Sequence, residues 1–213
     1  FNDKEYEVFN LKTFDFSKAQ ITFFTAGGKI SEQYAAKAAK HSIVIDNSSF
    51  FRMDPDVPLI VPQVNSEAIK DMKKNIIANP NCSTAQLVIV LKPLHDLFEI
   101  ERVVISTYQS VSGGGKAPMD ELIEQTKLFL DNKKIKSKNF TKQIAFNVIP
   151  HIDVFADDGY TKEELKMISE TKKILDEKIE LTATCVRIPV LVSHAESVNI
   201  QFKKSFSLEK VRE

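Results

Sequence analysis

The sequence predicts an α/β protein that begins with a parallel sheet and continues with a mixed sheet covered by helices. In the first part, short apolar runs alternate with helical patterns, which is typical of βαβ units around a parallel sheet. Near the end, a predicted strand alternates polar and apolar residues, so one of its faces meets water or a partner. We therefore divide the 213 residues into two domains, 1–81 and 82–213.

The elements of the first domain follow from its apolar runs and capping residues. Two helices are predicted, one beginning at Ser31 as its N-cap and running to residue 40, and one from Ser66 to about residue 72. The predicted strands are the four short apolar runs 21–24, 43–45, 59–61 and 76–78.

The sequence of the second domain predicts longer helices and a mixed sheet. The sequence predicts a helix over 83–96 that bends or ends near Pro93, and one over 118–130 with Pro118 in its first turn. Thr161 and Glu164 form a capping box for a helix that runs to residue 176. The remaining predictions are strands at 103–105, 145–149, 181–186 and 193–203, a loop at 110–115 and a surface excursion at 131–143.

Composition excludes several classes of protein. Lys+Arg and Asp+Glu both number 29, and zero net charge argues against a general nucleic-acid binder or a polybasic membrane protein. No apolar run reaches ~18 residues, so no transmembrane span is expected. Two cysteines cannot form a disulfide framework, which favours a reducing compartment such as the cytoplasm. No metal-ligand pattern is present in the sequence.

Both ends of the sequence look cut. The chain begins with Phe rather than Met, and it ends just after a new helix start at Ser207. We therefore expect an internal piece of a longer protein.

Cys82 is the first candidate for chemistry. It follows a strand and a proline turn in the segment 79–84, which places it at or beside the first turn of a helix. Unpaired amides and the helix dipole there are expected to lower the pKa of a thiol, as a nucleophile requires. The alternative is a buried cysteine that acts as a small apolar residue. Cys185, inside a predicted strand, is interpreted as a core residue.

Arg187 and His194 form a second candidate site on either side of a proline-interrupted turn. A guanidinium can bind a carboxylate through two hydrogen bonds, and a histidine can transfer protons near neutral pH. The alternative is a surface arginine and a structural histidine. The other three histidines, which we interpret as surface or capping residues, are His41, His95 and His151.

The few glycines and arginines mark possible anion sites. Amides of the segments 26–28 and 112–115 could face a phosphate or ribose, although either segment could be only a turn. Neither matches the G-x-G-x-x-G fingerprint. Arg52 is one of only four arginines, and it lies in an aromatic loop suited to binding an anion. A solvent-facing arginine is the alternative there.

Taken together, these segments resemble the aspartate-semialdehyde dehydrogenases, a family of bacterial enzymes. The matching stretches cover nearly the whole chain in the family's order: 24–28, 45–49, 54–59, 79–84, 106–109, 150–155, 159–164, 183–190 and 194–198. The resemblance implies a fold like that of glyceraldehyde-3-phosphate dehydrogenase. In that fold, the resemblance implies that residues 1–81 are the C-terminal half of a Rossmann-type NADP-binding domain and that residues 82–213 form the catalytic and dimerisation domain.

The resemblance also assigns roles to individual residues. Cys82 is the implied nucleophile, His194 the general acid/base, and Gln109 the group that orients a thioester intermediate. The implied substrate ligands are Arg187 for the α-carboxylate, Glu163 for the ammonium, and Arg52, Asn81 and Lys166 for the phosphate. Glu163 and Lys166 are three residues apart, so one helix face would present both.

The implied reaction is the NADP-dependent reductive dephosphorylation of L-aspartyl-4-phosphate to L-aspartate-4-semialdehyde. This reaction belongs to the pathway to lysine, methionine, threonine and diaminopimelate. The implied enzyme is a cytoplasmic homodimer that uses no metal. The residues that match cofactor-contacting loops are Ala26, Gly27, Gly28, Ser48, Ser112, Gly113 and Gly114.

Three departures from the family pattern limit what this chain is expected to do alone. The glycine-rich turn that cradles the cofactor diphosphate is absent, and of the family's last helix only 207–213 is present. The loop 113–115 reads Gly-Gly-Gly where Gly-Ala-Gly is expected, which we treat as a mild change. The 213-residue piece is therefore expected to bind NADP poorly or not at all, and to be inactive on its own.

Three other functions remain open from the sequence. The first is a related acyl-phosphate reductase of the N-acetyl-glutamyl-phosphate type, and the second is a Cys-His acyl transferase or thioesterase that needs no nicotinamide. The third is a non-enzymatic dimerisation or regulatory module. Glu163, as an ammonium partner, and the Asn-Cys-Ser-Thr context of Cys82 favour the aspartyl substrate.

Overall fold

The computed structural model describes residues 3–212, which divide into two compact units. The first unit consists of the described residues up to Ile60 together with Glu67–Asn79. The second consists of Val61–Ser66 and the residues from Pro80 onward. The assignment of these units to domains with separate roles stays a prediction.

The first unit is built around a three-stranded parallel sheet. Its strands are β1 (Ile21–Phe24), β2 (Ile43–Asp46) and β3 (Ile76–Ala78), hydrogen-bonded in the order β1-β2-β3. A helix, α1 (Gly28–Ala38), connects β1 to β2. Because all three strands run the same way, their carboxyl ends share one edge of the sheet, and the predicted parallel sheet is confirmed.

The structure differs from several details predicted for residues 1–81. Ser31 is not a helix cap, since α1 begins at Gly28 with Gly27 as its N-cap, at φ +89°, a conformation that glycine adopts readily. The run 59–61 makes only an isolated bridge from Leu59 to Ala78. The short helix α2 (Pro62–Asn65) follows directly, and the predicted helix at Ser66 is a 3₁₀ helix over Ser66–Asp71.

The Ser31 side chain instead helps to bury a carboxylate at the end of β2. Asp46 is fully buried, and one of its oxygens accepts a hydrogen bond from the Ser31 hydroxyl at 2.7 Å. The Ser48 amide donates to that same oxygen at 3.0 Å, and the Ser48 hydroxyl donates to the second at 2.8 Å. These bonds compensate for the loss of water around the buried charge and fix the turn after β2.

The second unit contains a mixed sheet in the order β5-β4-β6. The central strand β4 (Ile100–Gln109) pairs in parallel with β5 (Glu180–Arg187) and antiparallel with β6 (His194–Phe202). The predicted mixed sheet is confirmed. The helices of this unit that follow α2 are α3 (Cys82–Phe98), α4 (Lys116–Leu130), α5 (Lys162–Ile174) and α6 (Leu208–Arg212).

The core of the second unit lies between this sheet and its helices. Val103 and Ile105 of β4 are buried together with Leu87 and Leu91 of α3 and Met167 of α5. Alternate residues of β4 are buried and exposed, so one sheet face carries the core. The helix predicted over 83–96 is confirmed as α3, and because α3 runs through Pro93 to Phe98, the alternative of an end at Pro93 is wrong.

The predicted strand at 145–149 is also wrong. The amides of Ile144 and Ala145 donate to the buried side-chain oxygen of Gln125, at 2.9 and 3.2 Å, instead of pairing with a strand. Phe146 has φ +57°, which a strand cannot accommodate. Only Ile149 reaches the sheet, through a bridge to Arg187.

Buried glutamates of α5 hold the second unit together. The predicted capping box is confirmed, since Glu164 accepts from the Thr161 amide at 2.7 Å. The other oxygen of Glu164 accepts from the amide of Cys185 in β5 at 3.0 Å. Glu170 accepts from the backbone amide of Asn81 at 2.6 Å, just before α3. One helix therefore anchors both the start of α3 and the middle of β5.

Replacing Glu164 by Gln tests this anchor. An amide has only one acceptor oxygen, so either the Thr161 or the Cys185 amide loses its partner and faces an NH₂ group. We expect the free energy of unfolding to fall by about 1–3 kcal/mol, the cost of a buried unsatisfied group. Chemical denaturation followed by circular dichroism measures it, with the exposed Glu177→Gln as control. Equal midpoints for the two variants would show that the anchor is unimportant.

Candidate active site

Strand register brings three predicted site residues into one row. Gln109, the last residue of β4, is paired with Arg187 on β5 and with His194 at the start of β6. Residues in one row of neighbouring strands project from the same face, so the amide, guanidinium and imidazole lie side by side. Gln109 is buried and donates to the Thr107 hydroxyl at 3.2 Å. This row lies at the end of the sheet face that carries the core.

Cys82 is the first residue of α3, as the sequence predicted. Asn81 is the N-cap, and its side-chain oxygen accepts from the Ser83 amide at 2.9 Å. The thiol sulfur lies 3.9 Å from the same oxygen. The Cys82 side chain is exposed, whereas Cys185 is fully buried, so the alternative of Cys82 as a buried core residue is wrong.

The expected lowering of the Cys82 pKa is wrong. Although the side chain is partly open to solvent, the surrounding protein removes water from the thiol, and this burial raises the pKa above its usual value. The Glu163 carboxylate raises it further, while hydrogen bonds from Ser83 lower it to a smaller extent. For Cys185 burial dominates and raises the pKa to about 12, in agreement with its assignment to the core.

Glu163 links the start of α3 to a chain of charges. One of its oxygens accepts from the Asn81 side-chain amide at 2.8 Å, and the other lies 3.2 Å from the Lys166 ammonium. The predicted shared helix face is therefore confirmed. Lys166 also binds Asp153 at 2.8 Å. Burial works against the charge of Lys166, but the bonds to Asp153 and Glu163 outweigh it and raise the pKa of the amine.

Arg187 is half-buried and anchored by the backbone. Its guanidinium donates to the carbonyl oxygen of Ser110. Burial lowers the pKa of Arg187, and the negative charge of Glu163 opposes that effect. A pocket of about 220 Å³ opens beside this side chain and is also lined by Pro118, Thr141, His151, Ile152 and Asp153. The guanidinium therefore has both an anchor and an adjacent open space.

His194 contacts Ser110, the same residue that anchors Arg187. Its Nδ1 accepts from the Ser110 amide at 3.1 Å and lies 3.2 Å from the Ser110 hydroxyl. A side chain at Gly113 would place its Cβ 3.2 Å from Nη1 of Arg187 and 3.7 Å from Nε2 of His194. Glycine at 113 thus lets the loop lie directly against both functional groups.

Gly114 packs closely against Pro118 of α4. A Cβ at this position would lie 2.8 Å from Cγ of Pro118, closer than two such carbons approach. Alanine at 114 would force α4 or the loop to move. Pro118 therefore occupies the volume that an alanine side chain would need.

Arg52 lies in the first unit, where it is buried. Its Nε donates to the carbonyl oxygen of Asn79 at 2.9 Å, and its Nη2 donates to that of Asn47 at 3.1 Å. The alternative of a solvent-facing arginine is therefore wrong. Arg52 connects the turns that follow β2 and β3, and its role toward phosphate stays a prediction.

The predicted cofactor residues of the first unit lie at the carboxyl edge of the parallel sheet. Ala26, Gly27 and Gly28 join β1 to the start of α1, and Ser48 follows β2. The start of α1 has no side-chain cap, and a Cβ at Gly27 would meet no atom within 4 Å. The start of α1 is therefore uncapped with space beside Gly27, and the cofactor role of these residues stays a prediction.

Sequence reasoning missed three residues of the second unit. Ser110 binds His194, Asp153 binds Lys166, and Glu196 lies two residues after His194 on the same face of β6. The two-residue period of a strand could have pointed to Glu196, whereas no local signal marks Ser110.

Glu196 is a carboxyl group in a poor environment for charge. Burial raises its pKa to about 7, while a hydrogen bond with Gln86 and the nearby His194 lower it less. Within residues 3–212, its buried Oε1 has no hydrogen-bond partner. Over the same residues, no group of three or more His, Cys, Asp or Glu could hold a metal ion, and no helix is long and apolar enough to cross a membrane.

Glu196 makes stability depend on pH. The folded protein keeps this proton up to about pH 7, whereas the unfolded chain releases it near the usual value of 4.5. The contribution of Glu196 is thus most favourable below about pH 4.5 and is lost as pH rises through about 7. Thermal unfolding at a series of pH values should show a smaller decline for Glu196→Gln than for the exposed control Glu180→Gln. Parallel curves would contradict the assignment.

Two family models match most of the chain. Residues 2–72 match the NAD binding domain of semialdehyde dehydrogenase, and residues 91–213 match the semialdehyde dehydrogenase dimerisation domain. The second match alone covers more than half of the chain.

Individual relatives agree with this match. Aspartate-semialdehyde dehydrogenase from Aquifex aeolicus is 54% identical over 218 residues, which cover 100% of this chain and 64% of the relative. A crystal structure of aspartate semialdehyde dehydrogenase II from Vibrio cholerae, complexed with ASA, is 49% identical with a TM-score of 0.96, again over 100% of this chain and 64% of that protein.

A more distant relative is the Candida albicans aspartate semialdehyde dehydrogenase, whose crystal structure contains NADP. It is 25% identical with a TM-score of 0.64, over 91% of this chain and 54% of that protein. This chain therefore spans about 64% of the length of the bacterial relatives named above. With both halves matched in order, as the sequence resemblance predicted, the chain belongs to the semialdehyde dehydrogenase family.

Proposed function

We propose that the protein interconverts L-aspartyl-4-phosphate and L-aspartate-4-semialdehyde, with Cys82 as the nucleophile and NADP as the hydride carrier. The observation that supports this most is the row of Arg187, Gln109 and His194, since it gathers three predicted site residues that are far apart in sequence. Two bacterial relatives that match the whole chain are both named aspartate-semialdehyde dehydrogenase. Lysine, methionine, threonine and diaminopimelate synthesis is the corresponding pathway.

The charges around Arg187 suit an amino acid. Arg187 is suited to bind an α-carboxylate, and Glu163, whose charge acts on Arg187, is suited to bind a free ammonium group. An N-acetylated amine carries no charge and would leave Glu163 without that partner. A free amino acid therefore fits this pair better than an N-acetyl-glutamyl substrate does.

The residues proposed to bind the substrate phosphate are neighbours of Glu163. The Asn81 side-chain amide donates to Glu163, and its oxygen lies 3.9 Å from the thiol sulfur. Lys166 keeps its charge because its pKa is raised. A cation stabilises the negative charge that develops on a departing phosphate. The proposed role of Arg52 in binding the substrate phosphate stays a prediction.

The reductive direction has two chemical steps at Cys82. The thiolate attacks the acyl carbon, a C–S bond forms as the C–O bond to phosphate breaks, and inorganic phosphate leaves. NADPH, when bound, supplies the hydride that reduces the thioester. The C–S bond then breaks, releasing the aldehyde and the thiolate. Gln109 and Nε2 of His194 are the groups proposed to hold the carbonyl oxygen.

The cofactor and the assembly belong to the same proposal. The matched NAD binding domain, the uncapped start of α1 and the NADP in the Candida albicans relative support a nicotinamide dinucleotide, with NADP as the form proposed. The matched dimerisation domain and the half-polar strand β6 support a homodimer. A cytoplasmic location follows from the two unpaired cysteines, and it too remains a proposal.

Replacing Cys82 by Ala tests the function. We expect the protein, expressed from its complete coding sequence, to oxidise aspartate semialdehyde only when NADP⁺ and phosphate are both present, measured as NADPH absorbance. Cys82→Ala should lower kcat by about a thousandfold or more, because removing a nucleophile removes the covalent route. The control Cys185→Ala should stay within about threefold of wild type, since its buried thiol does not react.

Two results would reject the proposal. Full activity in Cys82→Ala would exclude this cysteine as the nucleophile. Acyl transfer without any nicotinamide would instead favour the Cys-His acyl transferase that the sequence leaves open.

A further inference from the structure

The hydrogen bonds of His194 define which ring nitrogen carries its hydrogen. Among residues 3–212, the partners of Nδ1 are the amide and the hydroxyl of Ser110, at 3.1 and 3.2 Å. A backbone amide can only donate, so Nδ1 must accept. A neutral imidazole has a single ring hydrogen, which therefore lies on Nε2.

Ser110 is held firmly in the orientation that this bond requires. It is completely buried, and it directly follows Gln109 at the end of β4. Its carbonyl oxygen accepts from the Arg187 guanidinium, and its hydroxyl lies 2.9 Å from the Ser112 hydroxyl. Contacts on three sides prevent the amide from turning away from the imidazole.

The opposite nitrogen of His194, Nε2, faces the loop that also borders Arg187. Gly113 borders both Nε2 and Nη1 of Arg187, so the Nε2 hydrogen lies in the same neighbourhood as the guanidinium. Both groups are hydrogen-bond donors in this arrangement. Since Arg187 is assigned to the α-carboxylate, Nε2 of His194 is available to donate to a second substrate oxygen that becomes negative.

We propose that Ser110 is a positioning residue that holds His194 as the neutral tautomer with its hydrogen on Nε2, so that the imidazole meets the substrate as a hydrogen-bond donor. The catalytic consequence rests on the proposed function, whereas the tautomer can be measured without any substrate. The acceptor would be the carbonyl oxygen of the thioester, which becomes negative as hydride reaches the carbon. A nitrogen that already carries hydrogen cannot take the proton of Cys82. This role therefore agrees with the acid half, and not with the base half, of the general acid/base role expected for His194.

Two substitutions separate the amide of Ser110 from its hydroxyl. Ser110→Ala removes only the hydroxyl and leaves the amide in place. Ser110 has φ −65° and ψ 162°, which proline adopts, so Ser110→Pro removes the amide hydrogen at backbone angles that the chain can keep. It also keeps the carbonyl oxygen that binds Arg187. Because the proline ring carbon takes the place of the amide hydrogen, which points at Nδ1, the imidazole has to move away and loses this contact entirely.

Nitrogen-15 NMR of histidine-labelled protein, expressed from its complete coding sequence, measures the tautomer near neutral pH. The chain has only four histidines, and a His194→Gln sample assigns the signal. We expect a protonated Nε2 and an unprotonated Nδ1 in the wild type and in Ser110→Ala, and a mixture of both tautomers in Ser110→Pro. With substrate, Ser110→Pro should lower kcat by about tenfold to a hundredfold, with KM within about threefold, since a donor to the oxyanion is partly lost.

Clear results would overturn the inference. A hydrogen on Nδ1 in the wild type would disprove the tautomer, and an unchanged tautomer in Ser110→Pro would show that Ser110 does not set it. If Ser110→Pro does not fold, the wild-type and Ser110→Ala spectra still decide the tautomer. Failure of the proposed function would instead appear as turnover in Cys82→Ala, with the His194 spectrum unaffected.

Discussion

The register of β4 between β5 and β6 is the constraint on which the candidate site depends. It sets Gln109 opposite both Arg187 and His194, residues that the sequence separates widely. Because side chains alternate along a strand, a slip of one residue would turn Arg187 or His194 to the other face. The same face carries the apolar core, so burial of the core enforces the register, and the register in turn assembles the polar row at its end.

The carboxylates of α5 provide the second part of the arrangement. Glu170 and Glu163 bind the backbone and side chain of Asn81, which fixes the start of α3 and with it Cys82. Glu163 also places a negative charge near the thiol and the Arg187 guanidinium, which raises the pKa of Cys82. The site therefore combines a well-positioned nucleophile with a thiol pKa that burial raises, and the Glu163 charge that raises it further is the one proposed to bind the substrate ammonium.

Much of this was predictable from local signals. The capping box of Thr161 is encoded in four consecutive residues, and the sequence alone placed Cys82 at a helix start. The strand predicted at 145–149 failed because Gln125, distant in sequence, captures its amides. Ser110 escaped notice because it acts through a backbone amide, which every residue except proline possesses. Motifs reveal reactive side chains, whereas the groups that orient them emerge only from tertiary structure.

The central claim is that Cys82 carries the acyl group, and trapping that thioester tests it most directly. The protein from its complete coding sequence would be mixed with aspartate semialdehyde and NADP⁺ without phosphate, quenched in acid and mapped by peptide mass spectrometry. The account predicts an aspartyl adduct on the peptide that contains Cys82, which disappears when phosphate is added before the quench. An adduct on Cys185, or NADPH formation with no adduct and no need for phosphate, would contradict it.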